Sequence, residues 1–372
     1  MKIGFVVNPI AGMGGRVGLK GTDKVLNKAI AMGAKPVSPI RAIEFLKRLK
    51  KLGLTGRITL LSCPGVMGKD EVKSAGLKAE MLSISIGART SAEDTKRAVK
   101  LMRDNNVDLI IFVGGDGTAR NIFDALEGKT NIAVLGVPSG VKMYSGIFAA
   151  SVNDAADVVQ SFLEGETQTA DFEVVDADEE AIRRDRFSTK FYGFLKGPFV
   201  PMHVLGSKQI SPETLDEHEN QMAVARFIVE EMKPEATYIL GPGTTIKCVA
   251  DLLGVGKTLL GVDIYQGGKI IKDVNEQKIL REVKDWNNTW IVLSPIGRQG
   301  MLLGRGNQEI SPEVVRRVGK EHIIVAATRS KIQGIEGNVL RVETGDAQVD
   351  QMLKGYIKVA IDYREWRLEQ VL

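Results

Sequence analysis

Hydrophobic positions in the first 165 residues alternate between short unbroken runs and runs with helical spacing. The unbroken runs predict buried strands at residues 2–7, 59–62, 81–86, 107–113 and 131–137. The helical spacings predict helices that begin near Ser38, Ser91 and Ala119, the first capped by Ser38 ahead of Pro39. Buried strands separated by helices are typical of a parallel sheet. We therefore predict an open, Rossmann-like α/β sheet that is covered by helices on both faces.

The pattern changes after residue 165. From Thr169 onward, two segments alternate in strand fashion around a charged turn, at residues 172–176 and 189–195. Further strands are predicted at residues 237–240, 259–265, 289–293, 322–326, 339–342 and 356–361. Helices are predicted from a Ser211-Pro212-Glu213 start to residue 232, and at residues 245–253. We predict an N-terminal α/β domain at residues 1–165, a β-rich α+β domain at residues 166–372, and a cleft between them.

Composition and charge exclude several classes of protein. Hydrophobic residues make up 44% of the chain and charged residues 26%, which is typical of a globular enzyme and not of a disordered chain. The net charge of +4 is spread along the sequence, so no nucleic-acid partner is expected. No apolar run is long enough to cross a membrane, and the start does not resemble a signal peptide. We expect a cytoplasmic protein without a membrane partner.

Few residues are available for disulfide or metal chemistry. The chain has 2 cysteines and 3 histidines, too few for a disulfide framework and little material for a zinc site. We predict that Cys63 and Cys248 are buried apolar residues. An acidic turn with Asp176, Asp178 and Glu179 either binds a metal or is simply exposed to solvent, and the second interpretation is favoured.

A glycine-rich loop at residues 114–118 carries the clearest chemical signal. Its sequence, Gly-Gly-Asp-Gly-Thr, directly follows the apolar strand at residues 107–113 and precedes the helix that is predicted from Ala119. Glycines allow the backbone to approach an anion, and the helix points its first amides at the same place. Asp116 in such a loop suits a magnesium ion shared with phosphates, or a base that takes a proton from an attacking hydroxyl. The alternative is an ordinary turn with an aspartate cap.

Other glycine turns suggest further anion contacts. The segment at residues 241–245 lies between a predicted strand and a predicted helix, so its amides and hydroxyls suit a second set of phosphates, and a strained turn with a threonine cap is the alternative. Arg298 and Arg305 stand in glycine turns that suit either anion binding or hairpins. Residues 254–258 end like a P-loop, but the first glycine and the following helix of that motif are missing.

Several of these segments resemble one kinase superfamily. The loop at residues 114–118 is similar to the signature shared by ATP-NAD kinases, diacylglycerol and sphingosine kinases, and 6-phosphofructokinases. The Asn8-Pro9 turn through Gly15 resembles the turn that ends their first strand. Residues 136–143, 241–247 and 304–312 resemble a divergent, largely prokaryotic NAD kinase-like branch. Two features depart from standard NAD kinases: no Asn-Glu pair is found in an equivalent context, and residues 136–140 replace a Gly-x-Asn-Thr-Gly turn.

The resemblance implies roles for individual residues. Asp116 would be the catalytic residue that activates the adenosine ribose 2′-hydroxyl of NAD, and it is also a candidate ligand for magnesium carried by the nucleotide. Nucleotide phosphates would be bound by Asn8, Gly12, Gly14, Gly114, Gly115, Gly117 and Thr118. Substrate would be bound by Ser139, Lys142, Gly241, Gly243, Thr244, Thr245, Arg305 and Asn307.

The function that these assignments imply is an ATP-dependent NAD kinase that makes NADP, with Mg²⁺ accompanying ATP. We expect its partners to be the small molecules ATP and NAD, and the protein to form a homo-oligomer. Two alternatives remain open: a lipid or small-polyol kinase of the same superfamily, and a nucleotide-binding regulatory protein without turnover. Asp116 argues against the second alternative, because a pure binding loop needs no carboxylate beside phosphates.

Overall fold

The computed structural model describes residues 1–15, 17–19, 26–87, 89–127, 132–140, 143–177, 189–200 and 215–372. The chain forms two compact units. Of the described residues, unit 1 contains those within 1–14, 26–177 and 189–200, and unit 2 contains those within 15–19 and 215–372. Among the described helices, none is long and apolar enough to span a membrane. Both cysteines are buried, as predicted.

Unit 1 is built on a five-stranded parallel sheet. Its strands are β1 (Lys2–Val7), β2 (Thr59–Ser62), β3 (Glu80–Met81), β4 (Leu109–Gly114) and β5 (Ala133–Pro138). Its helices are α1 (Leu26–Ala31), α2 (Ser38–Lys51), α3 (Lys69–Ser74), α4 (Ala92–Asp104), α5 (Asp116–Leu126) and α6 (Val152–Glu164). The strand order β3-β2-β1-β4-β5 is that of a Rossmann-type sheet. The predicted fold class is confirmed.

The centre of unit 1 explains why its strands lack polar alternation. Every residue of β4 and β5 is buried, because helices pack on both strands: α2 and α5 contact β4, and α2 and α6 contact β5. Phe5 of β1 stacks on Phe45 of α2, and Phe112 of β4 meets Phe148 edge-on at a centroid separation of 5.2 Å. Each fully buried aromatic of this kind stabilises the fold by about 1.5–3 kcal/mol.

A two-stranded antiparallel hairpin is also part of unit 1. It consists of β6 (Gln168–Ala177) and β7 (Thr189–Phe199). Phe172, Val174 and Leu195 are buried in the same hydrophobic core as the parallel sheet, and the hairpin contacts β5 and α5. The predicted boundary after residue 165 therefore falls at the start of a hairpin that the core of unit 1 holds in place.

Unit 2 is built on a nine-stranded mixed sheet. Its strands are β8 (Thr237–Leu240), β9 (Asp263–Gln266), β10 (Lys269–Ile271), β11 (Thr289–Leu293), β12 (Met301–Leu303), β13 (Ile323–Ala326), β14 (Val339–Val342), β15 (Gly355–Asp362) and β16 (Glu365–Val371). Its helices are α7 (Leu215–Glu231), α8 (Thr244–Leu252), α9 (Glu276–Glu282), α10 (Pro312–Val318), α11 (Arg329–Gln333) and α12 (Ala347–Leu353). The order is β10-β9-β8-β11-β13-β15-β16-β14-β12, with β8, β11, β13 and β15 parallel.

Several predicted boundaries differ from the structure. The strand expected at residues 81–86 is confined to β3. Leu82 N still donates to Ser62 O, but Ile84 N donates to Leu82 O, so the backbone turns away from the extended conformation there. Helix α5 begins at Asp116, three residues before the predicted start. The strand predicted from residue 259 begins at Asp263, after a turn that this aspartate stabilises. The predicted start of α7 at residues 211–213 lies outside the described part of the chain.

Glu71 of α3 makes the stability of unit 1 dependent on pH. The residue is buried (4% exposed), and its Oε2 has no hydrogen-bond partner among the described residues. Desolvation is the main cause that raises its pKa from 4.5 to about 7, and Asp70 adds to the rise. Above pH 4.5 the unfolded chain loses this proton while the folded chain keeps it until about pH 7. Stability should therefore fall by about 3 kcal/mol between these pH values.

The measurement is urea unfolding at pH 4.5 and pH 7.5 for wild type, Glu71→Gln and, as an exposed control, Glu93→Gln. Glu71→Gln should lack this fall, since its side chain does not ionise, and Glu93→Gln should retain it. An equal pH dependence in wild type and Glu71→Gln would contradict the prediction.

Candidate functional site

Three loops of unit 1 converge where β1, β4 and β5 end. Asn8, which follows β1, donates its backbone N–H to Val113 O at 2.9 Å and its side-chain Nδ2 to Thr118 Oγ1 at 2.9 Å. Ser139 and Gly140, which follow β5, donate their backbone N–H groups to Gly114 O at 3.0 and 3.2 Å. The three strands are adjacent and parallel, so their carboxyl ends share one edge, where open α/β sheets bind ligands.

The first of these loops approaches the third so closely that a side chain does not fit at Gly12. This residue has φ +78°, and an added Cβ would lie 1.9 Å from Ser139 O. Ser38 bridges the same two loops, because its Oγ donates to Ala11 O at 3.0 Å and shares a hydrogen bond of 2.7 Å with Ser139 Oγ. The prediction that Ser38 caps α2 is wrong: Val37 occupies the cap position without a side-chain hydrogen bond.

Helix α5 begins inside the second loop. Gly115 is its N-cap residue, and Thr118 and Ala119 donate their backbone N–H groups to Gly115 O. No side chain caps this helix, so Asp116 is not the cap residue of an ordinary turn. The first-turn amides and the positive end of the helix dipole lie at the loop, which is the arrangement that favours a bound anion.

Asp116 is held by backbone amides from the segment after β5. Its side chain is 6% exposed. Its Oδ2 accepts a hydrogen bond from Tyr144 N at 2.7 Å, and its Oδ1 accepts one from Ser145 N at 2.9 Å. Burial raises the pKa of the Tyr144 phenol, and the charge of Asp116 adds to this rise. The carboxylate is therefore fixed in orientation between α5 and the segment that contains these two residues.

The same segment ties the site to the hairpin. Ser145 Oγ donates to Val175 O at 2.8 Å and lies 3.0 Å from Val175 N, from which it accepts. Val175 lies at the point where the β6–β7 register shifts, so the hydroxyl satisfies the backbone groups that the irregularity leaves unpaired. Asp116 is thus connected to β6 through Ser145.

Asp176 at the end of β6 forms an ion pair with Arg120 of α5. The Arg120 guanidinium also lies 5.7 Å from the centre of the Tyr192 ring. Asp178 and Glu179 lie outside the described residues. Within the part of the chain that the structure describes, no cluster of three or more histidine, cysteine, aspartate or glutamate residues is placed to hold a metal ion.

The unit 1 loops fit a magnesium ion that arrives with a nucleotide better than a resident ion. Mg²⁺ in proteins is commonly held by one or two carboxylates together with phosphate oxygens and water. Asp116 supplies a carboxylate at these loops, where the amides of Tyr144 and Ser145 hold it in one orientation. It would contact such an ion, and the ion would neutralise charge on the donor phosphates.

The predicted turn at residues 241–245 connects β8 to α8 in unit 2. Gly243 is the N-cap residue with φ +117°, and no side chain caps the helix, so the alternative of a threonine cap is wrong. Thr244 Oγ1 accepts a hydrogen bond from Gln221 Nε2 at 3.2 Å, and Thr245 is buried. Lys247, one turn further on, pairs with Asp251 at 2.7 Å. The turn thus presents mainly backbone amides and glycine surface.

The side chains of Arg305 and Asn307 have partners within unit 2. Arg305 Nε lies 3.2 Å from Glu343 Oε2. Asn307 Oδ1 accepts a hydrogen bond from Gly304 N, and its Nδ2 donates to Leu302 O at 2.9 Å. These contacts stabilise the turn after β12. Lys142, the other charged residue predicted to bind substrate, lies outside the described residues.

The segment that ends like a P-loop is not a phosphate loop. Lys257 Nζ is fully buried, donates to Thr258 O and Gly261 O, and lies 3.9 Å from Asp263 Oδ2. The chain continues into β9 and not into a helix. The lysine therefore supports its own turn.

Sequence reasoning missed the contacts that position Asp116. Tyr144 and Ser145 hold its carboxylate through backbone amides, which leave no trace in residue type. In the sequence, Ser38 gives only the signal of a helix start. Its hydrogen bond with Ser139 joins residues 101 positions apart, and local pattern does not show such a contact. The glycines at positions 12, 114 and 115 were a usable signal, because an added Cβ would lie 1.9 Å from Ser139 O at Gly12, 2.5 Å from Thr118 Oγ1 at Gly114 and 3.2 Å from Gly140 Cα at Gly115.

Comparisons with known proteins agree with this architecture. The sequence profile of the ATP-NAD kinase N-terminal domain matches residues 3–167, and that of the ATP-NAD kinase C-terminal domain matches residues 233–370. The chain belongs to the ATP-NAD kinase family.

One similar solved structure is a protein from Bacillus anthracis str. Sterne that is provisionally described as a diacylglycerol kinase. The sequence identity is 14%, the TM-score is 0.24, and the match covers 64% of this chain and 58% of the other. This chain therefore spans just over half the length of that relative. No curated protein matches the sequence.

Proposed function

We propose that this protein is a kinase that transfers the γ-phosphate of ATP to the adenosine ribose 2′-hydroxyl of NAD and so forms NADP. The observation that carries the proposal is the convergence of the Asn8, Gly114–Thr118 and Ser139 loops around a buried, oriented Asp116. Membership of the ATP-NAD kinase family supports it. The requirements of phosphoryl transfer are mainly positioning and charge neutralisation, and glycine loops at a helix N-terminus supply both.

In this proposal the residues of unit 1 have separate tasks. The loop at residues 114–118, through its amides at residues 115–117, and the Asn8 turn bind the donor phosphates. Asp116 accepts the proton of the attacking 2′-hydroxyl while the hydroxyl oxygen bonds to the γ-phosphorus and the bond to the β-phosphate oxygen breaks, releasing ADP. Mg²⁺ bound to the nucleotide reduces the charge repulsion between phosphates. The Tyr144 and Ser145 amides keep the carboxylate aimed at the acceptor.

We assign the acceptor to further residues of the predicted set. Ser139 lies beside the donor loops, and the turn at Gly241, Gly243, Thr244 and Thr245 suits the pyrophosphate of NAD, because a helix begins there. Arg305 and Asn307 remain predicted substrate contacts, and contacts within unit 2 fix the positions of their side chains. Lys142 remains a predicted substrate contact.

The direct test is to incubate purified protein with NAD, ATP and Mg²⁺ and to measure NADP with an NADP-specific dehydrogenase. Polyphosphate replaces ATP in a second arm, and diacylglycerol or small polyols replace NAD in a third. NADP formation supports the proposal. Phosphorylation of a lipid or polyol without any NADP would favour the alternative kinase, and nucleotide binding without turnover would favour a regulatory protein.

Gly243→Val should affect the two substrates differently. A β-branched residue at φ +117° distorts the turn and places bulk where a phosphate approaches the backbone. We expect the KM for NAD to rise about tenfold or more and the KM for ATP to change less than about twofold. Steady-state kinetics with each substrate varied in turn provide the measurement.

The control for Gly243→Val is Gly254→Val. Gly254 also has a positive φ, +71°, and no atom lies within 4 Å of an added Cβ. A side chain at Gly254 would meet similar backbone strain. The residue lies beyond the other end of α8, away from the turn at Gly243. If both variants raise both KM values equally, the effect is a folding defect and the assignment of the turn to NAD fails.

A further inference from the structure

Two serine hydroxyls of unit 1 meet at the edge of the sheet where the three loops converge. Ser139 directly follows β5, and Ser38 is the first residue of α2. Their Oγ atoms lie 2.7 Å apart, the usual separation for a hydrogen bond between two hydroxyls. The exposed fraction is 0% for Ser38 and 3% for Ser139. Ser38 has no task in the proposed function.

The proton of each hydroxyl can be assigned, because a serine hydroxyl carries one proton and two lone pairs. Ser38 Oγ donates to Ala11 O at 3.0 Å, and a carbonyl oxygen has no proton to give in return. The bond between the two serines therefore uses the proton of Ser139, with Ser38 Oγ as its acceptor. Ser139 Oγ keeps its lone pairs but has no proton left for a third group.

Ser139 Oγ is thus a buried hydrogen-bond acceptor. Within the described part of the chain it forms no hydrogen bond besides the one to Ser38. Buried polar atoms usually have their hydrogen-bonding capacity satisfied, and here a donor is what is missing. A ligand hydroxyl supplies such a donor. A phosphate oxygen does not, because it is itself mainly an acceptor.

The hydroxyl of Thr118 in the second loop has the opposite polarity. Its Oγ1 accepts a hydrogen bond from Asn8 Nδ2 at 2.9 Å, and no described residue accepts the Thr118 proton. This hydroxyl suits a phosphate oxygen. The loops therefore offer a donor after β4 and an acceptor after β5, and a kinase has to bring together a phosphate and an alcohol.

The hydroxyl that binds to Ser139 is not the one that is phosphorylated. In the proposed mechanism the attacking hydroxyl gives its only proton to Asp116, so it has none to donate to Ser139. The substrate then needs a second hydroxyl close to the first. The adenosine ribose of NAD meets this requirement, because a 3′-hydroxyl stands beside the 2′-hydroxyl.

We propose that Ser38 is a positioning residue that fixes Ser139 as a hydrogen-bond acceptor, and that Ser139 selects alcohols with a second hydroxyl beside the phosphorylated one. The substrate class is therefore a vicinal diol. The choice of NAD and its 3′-hydroxyl rests on the function proposed above, whereas the polarity of Ser139 follows from the bonds to Ser38 and Ala11 alone.

The experiment compares NAD with an NAD analogue that contains 3′-deoxyadenosine, using the full-length protein, Mg-ATP and ADP release as the readout. Wild type should prefer NAD about tenfold in kcat/KM, the scale of one hydrogen bond between uncharged groups. Ser139→Ala should use NAD as poorly as the analogue. Ser38→Ala keeps the acceptor atom but releases its orientation, so its preference for NAD should fall to about threefold.

The matched control is Ser62→Ala. Ser62 is also a fully buried serine at the end of a strand of this sheet, and its Oγ donates to Phe5 O at 3.2 Å. Each of the three variants loses a buried hydrogen bond, so Tm should fall in all of them. Only the variants at Ser38 and Ser139 should lose the preference for NAD. An equal loss in Ser62→Ala would show a general structural effect and overturn the proposal.

Isothermal titration calorimetry of NAD and the analogue, without ATP, separates this proposal from the proposed function. Equal use of NAD and the analogue, with NADP formed, would refute the role of Ser139 and leave the kinase assignment intact. A binding preference for NAD that disappears in Ser139→Ala, in a protein that forms no NADP, would support the role of Ser139 and refute the kinase. A preference that persists in Ser139→Ala, or no NAD binding at all, would overturn the proposal.

Discussion

Asp116→Asn should reduce kcat for NADP formation by about 100-fold or more, the usual scale of acid–base assistance. An amide does not accept the proton of the attacking hydroxyl and is a weaker ligand for magnesium. The variant also affects the local fold, because one of the Tyr144 and Ser145 amides would face an NH₂ group. Mispairing of that kind costs about 1–3 kcal/mol. Turnover with saturating NAD and Mg-ATP gives the result.

The control for this loss is Asp94→Asn. Asp94 is a similarly buried carboxylate in the first turn of α4, and it accepts a hydrogen bond from Ser91 N at 2.8 Å. Both variants lose a comparable contact, so Tm should fall in both, and kcat should fall only in Asp116→Asn. Near wild-type turnover in Asp116→Asn would remove this residue from the mechanism.

Gly12→Ala should destabilise unit 1 by about 3 kcal/mol and abolish ATP binding. The added Cβ would meet Ser139 O at 1.9 Å, and φ +78° disfavours any L side chain. The neighbouring atom belongs to the backbone, so relief of the clash requires the first and third loops to separate. Urea unfolding and ATP titration measure the two effects.

Gly53→Ala isolates the contribution of backbone strain. Gly53 has a similar φ, +72°, and nothing lies within 4 Å of an added Cβ. Its cost should be about 1 kcal/mol with ATP binding retained. If the two alanine variants were equally stable and bound ATP equally, the contact between the loops would not be required.

The unit 1 sheet and its loops were predictable because both leave local traces. A fully buried strand such as β4 is an unbroken apolar run, and a close backbone approach requires glycine, as at Gly12. The partners of Asp116 were not predictable, because every residue type except proline supplies a backbone N–H. In unit 2, the hydrogen bond between Lys331 and Ser294 joins residues 37 positions apart, and only the parallel order of β11 and β13 brings them together.

Unit 2 was less predictable because several of its strands are short or half exposed. Strand β12 has three residues, which is too few to show a pattern. Strand β16 carries charged residues among its apolar ones, and most of its side chains are exposed. Its pairing with β15 is a local hairpin, but its pairing with β14 joins segments that are separated in sequence by α12 and β15. Local periodicity does not contain that information.

The position of β16 has a consequence for the order in which the chain folds during synthesis. This strand pairs with β15 on one side and β14 on the other, so it joins β12 and β14 to the other strands of the sheet. Unit 1 draws its described strands from residues up to 199, and they emerge from the ribosome early. The sheet of unit 2 is incomplete until residues 365–371 emerge. Until then β14 and β15 present unpaired edges, which are prone to aggregate, so slow synthesis of residues 365–371 should harm unit 2 more than unit 1.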